Sequence, residues 1–164
     1  MAFASKPFAA GLALMAALSA PLTATATAAD DAADIRDVRA LFLRQAAGAT
    51  AKDIGEMDAV IARPAPGQPD TVSFIARSYR YWGRDEVMAH FRKIFTGTWR
   101  FEPDESAIRV TLLGHDVAQI YAPTRVTAGA AGQPATTSQF HMTELAIRTP
   151  DGWRITSFVA TPAQ

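Results

Sequence analysis

Trp82-Gly83-Arg84-Asp85-Glu86-Val87-Met88-Ala89-His90-Phe91-Arg92-Lys93-Ile94-Phe95-Thr96-Gly97-Thr98-Trp99 reads as one amphipathic helix between a glycine turn and the start of a strand. Val87, Phe91, Ile94 and Phe95 fall at i, i+4, i+7 and i+8 and form one apolar stripe, while Glu86, Ala89, Arg92 and Lys93 lie away from it. A helix with such a stripe must lie on a hydrophobic surface. Nearly everything after Gly97 reads as strand, so that surface is expected to be a sheet, with Val87, Phe91 and Ile94 toward the core and His90 at the edge of the stripe.

Downstream, Ile108, Val110 and Leu112 alternate with Arg109 and Thr111, and Gly114-His115-Asp116 makes a turn. A second strand is expected over Val117–Val126, a Gly, Ala and Pro loop over Thr127–Ala135, and a third strand over Thr136–Thr149. Pro150-Asp151-Gly152 is a turn signal, and Trp153–Thr161 closes as a further strand. Upstream, Ile35, Val38, Phe42 and Ala46 recur at helical spacing in a first helix that Gly48 is expected to end. Thr50 and Asp53 resemble a capping box before a shorter helix marked by Ile54, Met57, Val60 and Ile61. Arg63–Asp70, with three prolines, is a connector. Thr71–Tyr81 suggests one or two short strands with a turn near Ala76–Ser78. Helices first and an antiparallel meander after them make an α+β arrangement.

Met1 to Ala28 has the three parts of a secretory signal: Lys6, the apolar run Phe8–Ala20, and Ala26-Thr27-Ala28 as a small-x-small cleavage pattern. The expected domains are a signal peptide over residues 1–28 and one domain over residues 29–164, placing the protein in the periplasm or outside the cell. The apolar run is shorter than the roughly 20 residues a spanning helix needs, so no membrane association is expected after cleavage. Cleavage before Ala29 leaves about 135 of the 164 residues, enough for one domain with its own core. Without Lys6, 15 Lys plus Arg face 16 Asp plus Glu, so no basic face for nucleic acid is implied. The chain has no cysteine, which excludes thiol catalysis, disulfides and thiolate metal sites.

The order of elements, together with Trp82-Gly83-Arg84-Asp85-Glu86-Val87 opening the third helix, Asp116-Val117-Ala118 opening a strand and Asp151-Gly152-Trp153-Arg154-Ile155 in the final hairpin, resembles the SnoaL-like branch of the NTF2-like superfamily. The resemblance covers Asp31–Pro162. It implies an NTF2-like cone, about three N-terminal helices packed on a strongly bent antiparallel sheet, with an apolar pocket open at one end. It also implies a homodimer through the outer sheet face. The pocket of relatives has hosted isomerases, cyclases and dehydratases, and in many members no chemistry, so fold alone does not decide function. In the family's ketosteroid isomerases a carboxylate base follows a Thr-Val pair. Here Thr71-Val72-Ser73-Phe74 puts Phe74 in that place, and Arg39 and Phe42 stand where those enzymes have a tyrosine donor. Many relatives carry two histidines on the last strand, where this chain has Ser157 and Val159.

Candidate catalytic residues remain on other elements. His90 is either a half-exposed edge histidine or a pocket residue whose charged form burial would disfavour. His141 and Glu144 are three apart on one strand and so point to opposite faces. Glu144 shares its face with Phe140, Met142 and Ala146, which fits either a raised-pKa carboxyl in an apolar cavity or a cross-strand partner for an arginine. His141 goes with Gln139, Thr143 and Leu145, a possible dimer face. Tyr121 shares a face with Val117 and Gln119 and is the candidate hydroxyl donor. Tyr79, Tyr81, Trp82, Phe91, Trp99, Gln119, Phe140 and Met142 are the candidate ligand-binding residues, as a pocket rim or, for the aromatics, as ordinary core filling. Three scattered histidines give no metal-ligand spacing, and no glycine-rich phosphate loop or Gly-x-Ser-x-Gly elbow is present. No cofactor is expected. The sequence therefore points to a domain that binds a small apolar molecule, or alternatively to a cofactor-free isomerase or lyase, or to a protein-interaction module using the outer sheet face.

Overall fold

The structure, a computed structural model, describes residues 22–163. Helix α1 spans Leu22–Ala51 and α2 Ile54–Val60, followed by strands β1 (Ser73–Ala76) and β2 (Tyr79–Trp82), helix α3 (Arg84–Ile94), strand β3 (Thr98–Pro103), a 3-10 turn (Glu105–Ala107) and strands β4 (Arg109–Leu112), β5 (Val117–Gly129), β6 (Thr136–Thr149) and β7 (Gly152–Pro162). Residues 1–21 of the expected signal segment lie outside the described residues, and the expected cleavage point before Ala29 falls within α1. Among the described residues no helix is long and apolar enough to cross a membrane.

The sheet runs β2-β1-β7-β6-β5-β3, with β4 also on β5. It is antiparallel except that β1 runs parallel to β7, with Ser73 beside Ser157 and Ala76 beside Ala160. The expected antiparallel meander is present as β4-β5-β6-β7, and β1 alongside β7 makes the whole a mixed, open, strongly curved sheet, because a hairpin signal fixes only the partner next in sequence. β3 and β4 pair with successive parts of the same edge of β5, and the 3-10 turn between them carries the chain from one part to the other. Strand β3 begins where the end of the quoted stretch reads as a strand start, and it extends the pairing of β5 to Gly129, into the stretch expected to be loop.

The core lies between the concave face and the helices. Ala118, Ile120 and Ala122 of β5, Met142 and Ala146 of β6 and Ile155 and Phe158 of β7 meet Val38, Phe42 and Ala49 of α1, Met57 of α2 and Val87, Met88 and Phe91 of α3. The stripe read in α3 is thus buried at Val87 and Phe91. Ile35, by contrast, is 39% exposed and lies outside the core.

Gly48 does not end α1. The helix runs on to Ala51 and stops where Lys52 takes a left-handed conformation, φ 57°. The missing side chain at Gly48 instead makes room for Glu56, since a Cβ there would stand 2.8 Å from Glu56 Cγ. Asp53 is the cap of α2, accepting from the backbone N–H groups of Gly55 and Glu56, while Thr50 Oγ1 donates to the Phe101 carbonyl.

The residues opening α3 are structural. Gly83 sits at φ 83°, Asp70 accepts the Arg84 N–H at 2.7 Å, and Glu86 accepts the Trp82 N–H at 3.0 Å. The Arg84 side chain is buried and donates to the Asp58 carboxylate and carbonyl at 2.7 and 2.8 Å, tying α3 to α2. The final hairpin is anchored in the same way: Trp153 Nε1 donates to Asp34 of α1 at 3.3 Å, and Arg148 stacks over the Trp153 ring while pairing with Asp34. At the end of α3 the backbone turns through Gly97, where a Cβ would lie 2.1 Å from the Gly129 carbonyl oxygen, and Lys52 Nζ donates to the Gly97 carbonyl at 2.8 Å.

Candidate functional site

The helices do not fill the curved sheet completely. Between α1, α3 and the concave face lies a cavity of about 490 Å³, open on one side, whose size is typical of a small-molecule site. Its inner wall is made of buried side chains, including Phe74, Phe91, Phe101, Met142 and Phe158. Its rim carries Arg77, Tyr79, Lys93, Thr96, Thr98 and Thr136, all exposed.

Rings dominate the wall. Phe74 packs against Tyr81, His90, Phe91 and Phe158 with centroid distances of 4.9–6.2 Å and tilted or edge-on planes. His90 stacks on Tyr81 at 4.4 Å, 24° between planes. Burial among these rings pushes the His90 imidazole down to about 4, with a smaller push from the Lys93 charge, so at neutral pH this ring cluster is uncharged.

The candidate ligand-binding residues divide by strand phase. Tyr79, Tyr81, Phe91, Trp99, Phe140 and Met142 line the cavity. Trp82 does not: on β2 it alternates with Tyr81, points to the other side and is 61% exposed. Gln119 and Tyr121 do not either. The face of β5 that meets the helices is Ala118-Ile120-Ala122, whose small residues let the helices approach closely, so Gln119 and Tyr121 lie on the convex face. There the Tyr121 hydroxyl hydrogen-bonds His141 Nδ1 at 2.9 Å.

Glu144 is completely buried on the concave face, but it lies behind the cavity wall and is not part of it. Desolvation pushes its carboxyl up to about 8, opposed by the Gln45 amide beside it. Neither Glu144 oxygen, nor Gln45 Oε1, meets hydrogen-bond geometry with a partner among the described residues. A protonated Glu144 supplies a donor, and Gln45 Oε1 is the unpartnered acceptor beside it. Gln45 does line the cavity, so it stands between the ligand space and the buried acid. The proposed catalytic group is therefore not assembled: Glu144 and His90 lie on the concave side in different layers, and Tyr121 is on the opposite face of the sheet.

Several wall residues carried no functional reading in the sequence: Gln45, Arg77, Lys93 and Ser138. A signal for Gln45 was present, since it occupies the stripe position between Val38, Phe42 and Ala49, where an apolar residue is the rule. Phe74 lines the cavity at the place where the resemblance expects an isomerase base. On β7, Ser157 and Val159, which stand where relatives carry histidines, face outward. A bulge inserts Thr156 opposite the Leu145–Ala146 step, after which Phe158 and Ala160 point into the cavity. No histidine of β7 enters the site in either phase. Among the described residues no group of three potential metal ligands comes together.

A curved sheet wrapped on helices around one apolar cavity defines the NTF2-like, cystatin-like cone. The chain belongs to the SnoaL-like domain family, whose model matches residues 38–163. Its fold is similar to that of an NTF2-like family protein from Streptomyces avermitilis, at 20% identity and TM-score 0.69, covering 80% of this chain and 97% of that one. An NTF2-like protein with a cystatin-like fold from Novosphingobium aromaticivorans is similar at 16% identity and TM-score 0.67, covering 88% and 92%. A ketosteroid isomerase-like protein from Erwinia carotovora atroseptica is similar at 14% identity and TM-score 0.63, covering 80% and 97%. At these identities the likeness is one of fold. No curated protein matches the chain in sequence.

Proposed function

We propose that this protein is an exported SnoaL-like domain that binds a small, largely apolar organic molecule in its cone, without catalysing a reaction on it. The observation that carries this reading is the ring-lined cavity of about 490 Å³, whose inner wall offers shape and apolar surface but no convergent acid, base and donor. Export rests on the signal-like Met1–Ala28 segment. A homodimer rests on the convex sheet face, where the row Ile75, Val159, Thr143 and Tyr121 is covered by no other described element. The reading assigns no cofactor, no nucleic acid and no membrane partner after cleavage.

Native mass spectrometry of the protein recovered from the exported fraction tests all three parts. The expected result is a dimer of chains beginning at Ala29 that retains a small-molecule adduct. Recovery without an adduct, together with no binding of apolar probes, would overturn the ligand-binding reading.

A second reading, cofactor-free isomerase or lyase chemistry, is favoured by one observation: the buried Glu144 carboxyl, pushed up to about 8, lies directly behind Gln45, which lines the cavity. It requires the acid to reach a ligand from behind the wall. Turnover of any bound compound that is lost in Glu144→Gln, with binding retained, would support this reading over the first.

A further inference from the structure

The charges on the cavity are all of one sign. Its wall includes Arg77 and Lys93 but no aspartate or glutamate, and neither cation has an ion-pair partner among the described residues. Both lie at the rim, on opposite elements: Arg77 in the β1–β2 turn and Lys93 on the last turn of α3.

Arg77 is held in place. Its backbone sits at φ 54°, a left-handed conformation that glycine or asparagine adopts more readily, so an arginine here carries a local conformational cost. Its guanidinium lies 5.3 Å from the Phe140 ring centroid and donates to Ser138 Oγ at 3.5 Å. Phe140 and Ser138 line the same cavity, so the turn aims the charge along the mouth.

From this arrangement we infer that the cavity takes a ring-bearing organic monoanion, its apolar body inward among Phe74, Phe91 and Phe158 and its anionic head at the rim between Arg77 and Lys93. The inference rests on the ligand-binding reading above and adds the ligand's charge and its orientation. The opposite orientation is disfavoured on physical grounds. An anionic head carried inward would be desolvated next to the layer that already holds an unpaired carboxyl, Glu144, with no cation to meet it. At the rim the head keeps part of its water and gains two cations. The tilted and edge-on packing of the wall rings leaves ring faces and edges for a cyclic body to pack against.

A matched pair of fluorescent probes tests this: 1-anilinonaphthalene-8-sulfonate, which carries one negative charge, and N-phenyl-1-naphthylamine, the same ring body without it. Both are titrated into the full protein, into the Arg77→Gln/Lys93→Gln double variant and into Ala128→Trp, which fills the cavity. Wild type is expected to bind the anionic probe about tenfold more tightly than the neutral one, as two partly exposed charge contacts allow. The double variant should lose that preference while still binding the neutral probe, and Ala128→Trp should lose both. Arg77 and Lys93 are exposed, so the double variant should fold, which its far-UV circular dichroism checks. If the neutral probe binds as tightly as the anionic one, or the double variant keeps the preference, the anion inference is wrong while the cavity reading stands. If neither probe binds, or Ala128→Trp binds both as before, the cavity reading fails and the inference with it.

Discussion

Glu144 and His90 give this fold opposite pH dependences. The folded Glu144 carboxyl stands near 8 against its ordinary 4.5, so its contribution to stability is fully present below the unfolded value and is lost as pH rises through 8. The folded His90 stands near 4 against 6.5, so its contribution is present above 6.5 and is lost as pH falls through 4. Glu144→Gln should therefore flatten the decline of stability between pH 5 and 8, raising it at pH 8 by on the order of a few kcal/mol. Chemical denaturation at stepped pH values checks this, and a wild-type profile in the variant would mean the buried carboxyl is ionised at little cost. At this scale the sequence was partly legible. Alternation placed Glu144 on the buried face beside Met142 and Ala146, but could not say whether it touched the cavity or lay behind it, because that depends on which α1 residue projects between. Gln45 is that residue, and it stood as a polar break in an apolar stripe.

The helix read first, α3, shows how much an element's own pattern reveals. Its stripe and its glycine turn were visible in the sequence, and Phe91 is 2% exposed against Phe74 and Phe158. Phe91→Asp places an unpaired charge between helix and sheet and should unfold the domain, seen as loss of a cooperative thermal transition. What the pattern did not reveal is the tie across to α2. Arg84 reads as a polar first-turn residue, yet its guanidinium is buried on Asp58. Arg84→Ala should cost about 2 kcal/mol in urea denaturation, since Asp58 is itself partly exposed and recovers some hydration. Two further features were out of reach for the same reason. The parallel β1–β7 pairing joins partners remote in sequence, and the bulge at Thr156 shifts the inward phase of β7 by one residue partway along the strand.

The whole molecule presents two unlike surfaces from one sheet, concave around the cavity and convex without a covering element among the described residues. Order of elements and turn signals were enough to read the α+β arrangement, since each hairpin is punctuated locally, whereas the cone was what the family resemblance implied. The face that Tyr121 takes was not legible, because β5 carries apolar residues on both sides and only the packing of the helices selects one. If the convex face is the dimer interface, Val159→Arg should give a folded monomer in sedimentation velocity with the cavity's probe binding retained. A dimer persisting in that variant would place the contact elsewhere.

The two lips of the cavity are built differently, and this bears on how quickly a guest comes and goes. On one side the Gly97 corner meets Gly129 backbone to backbone, with no side chain between them, and is further tied by Lys52. That lip has no give, and Gly97→Ala should cost about 2 kcal/mol or more because the added methyl meets a carbonyl that cannot withdraw. On the other side Tyr79 and Arg77 ride on β2 and its turn, a strand of four residues that pairs along one edge only. For a molecule held as proposed, exchange is expected to run through the one-sided hairpin. The residence time of a bound molecule can be tuned there by changes in the turn, independently of the depth of the well that holds it.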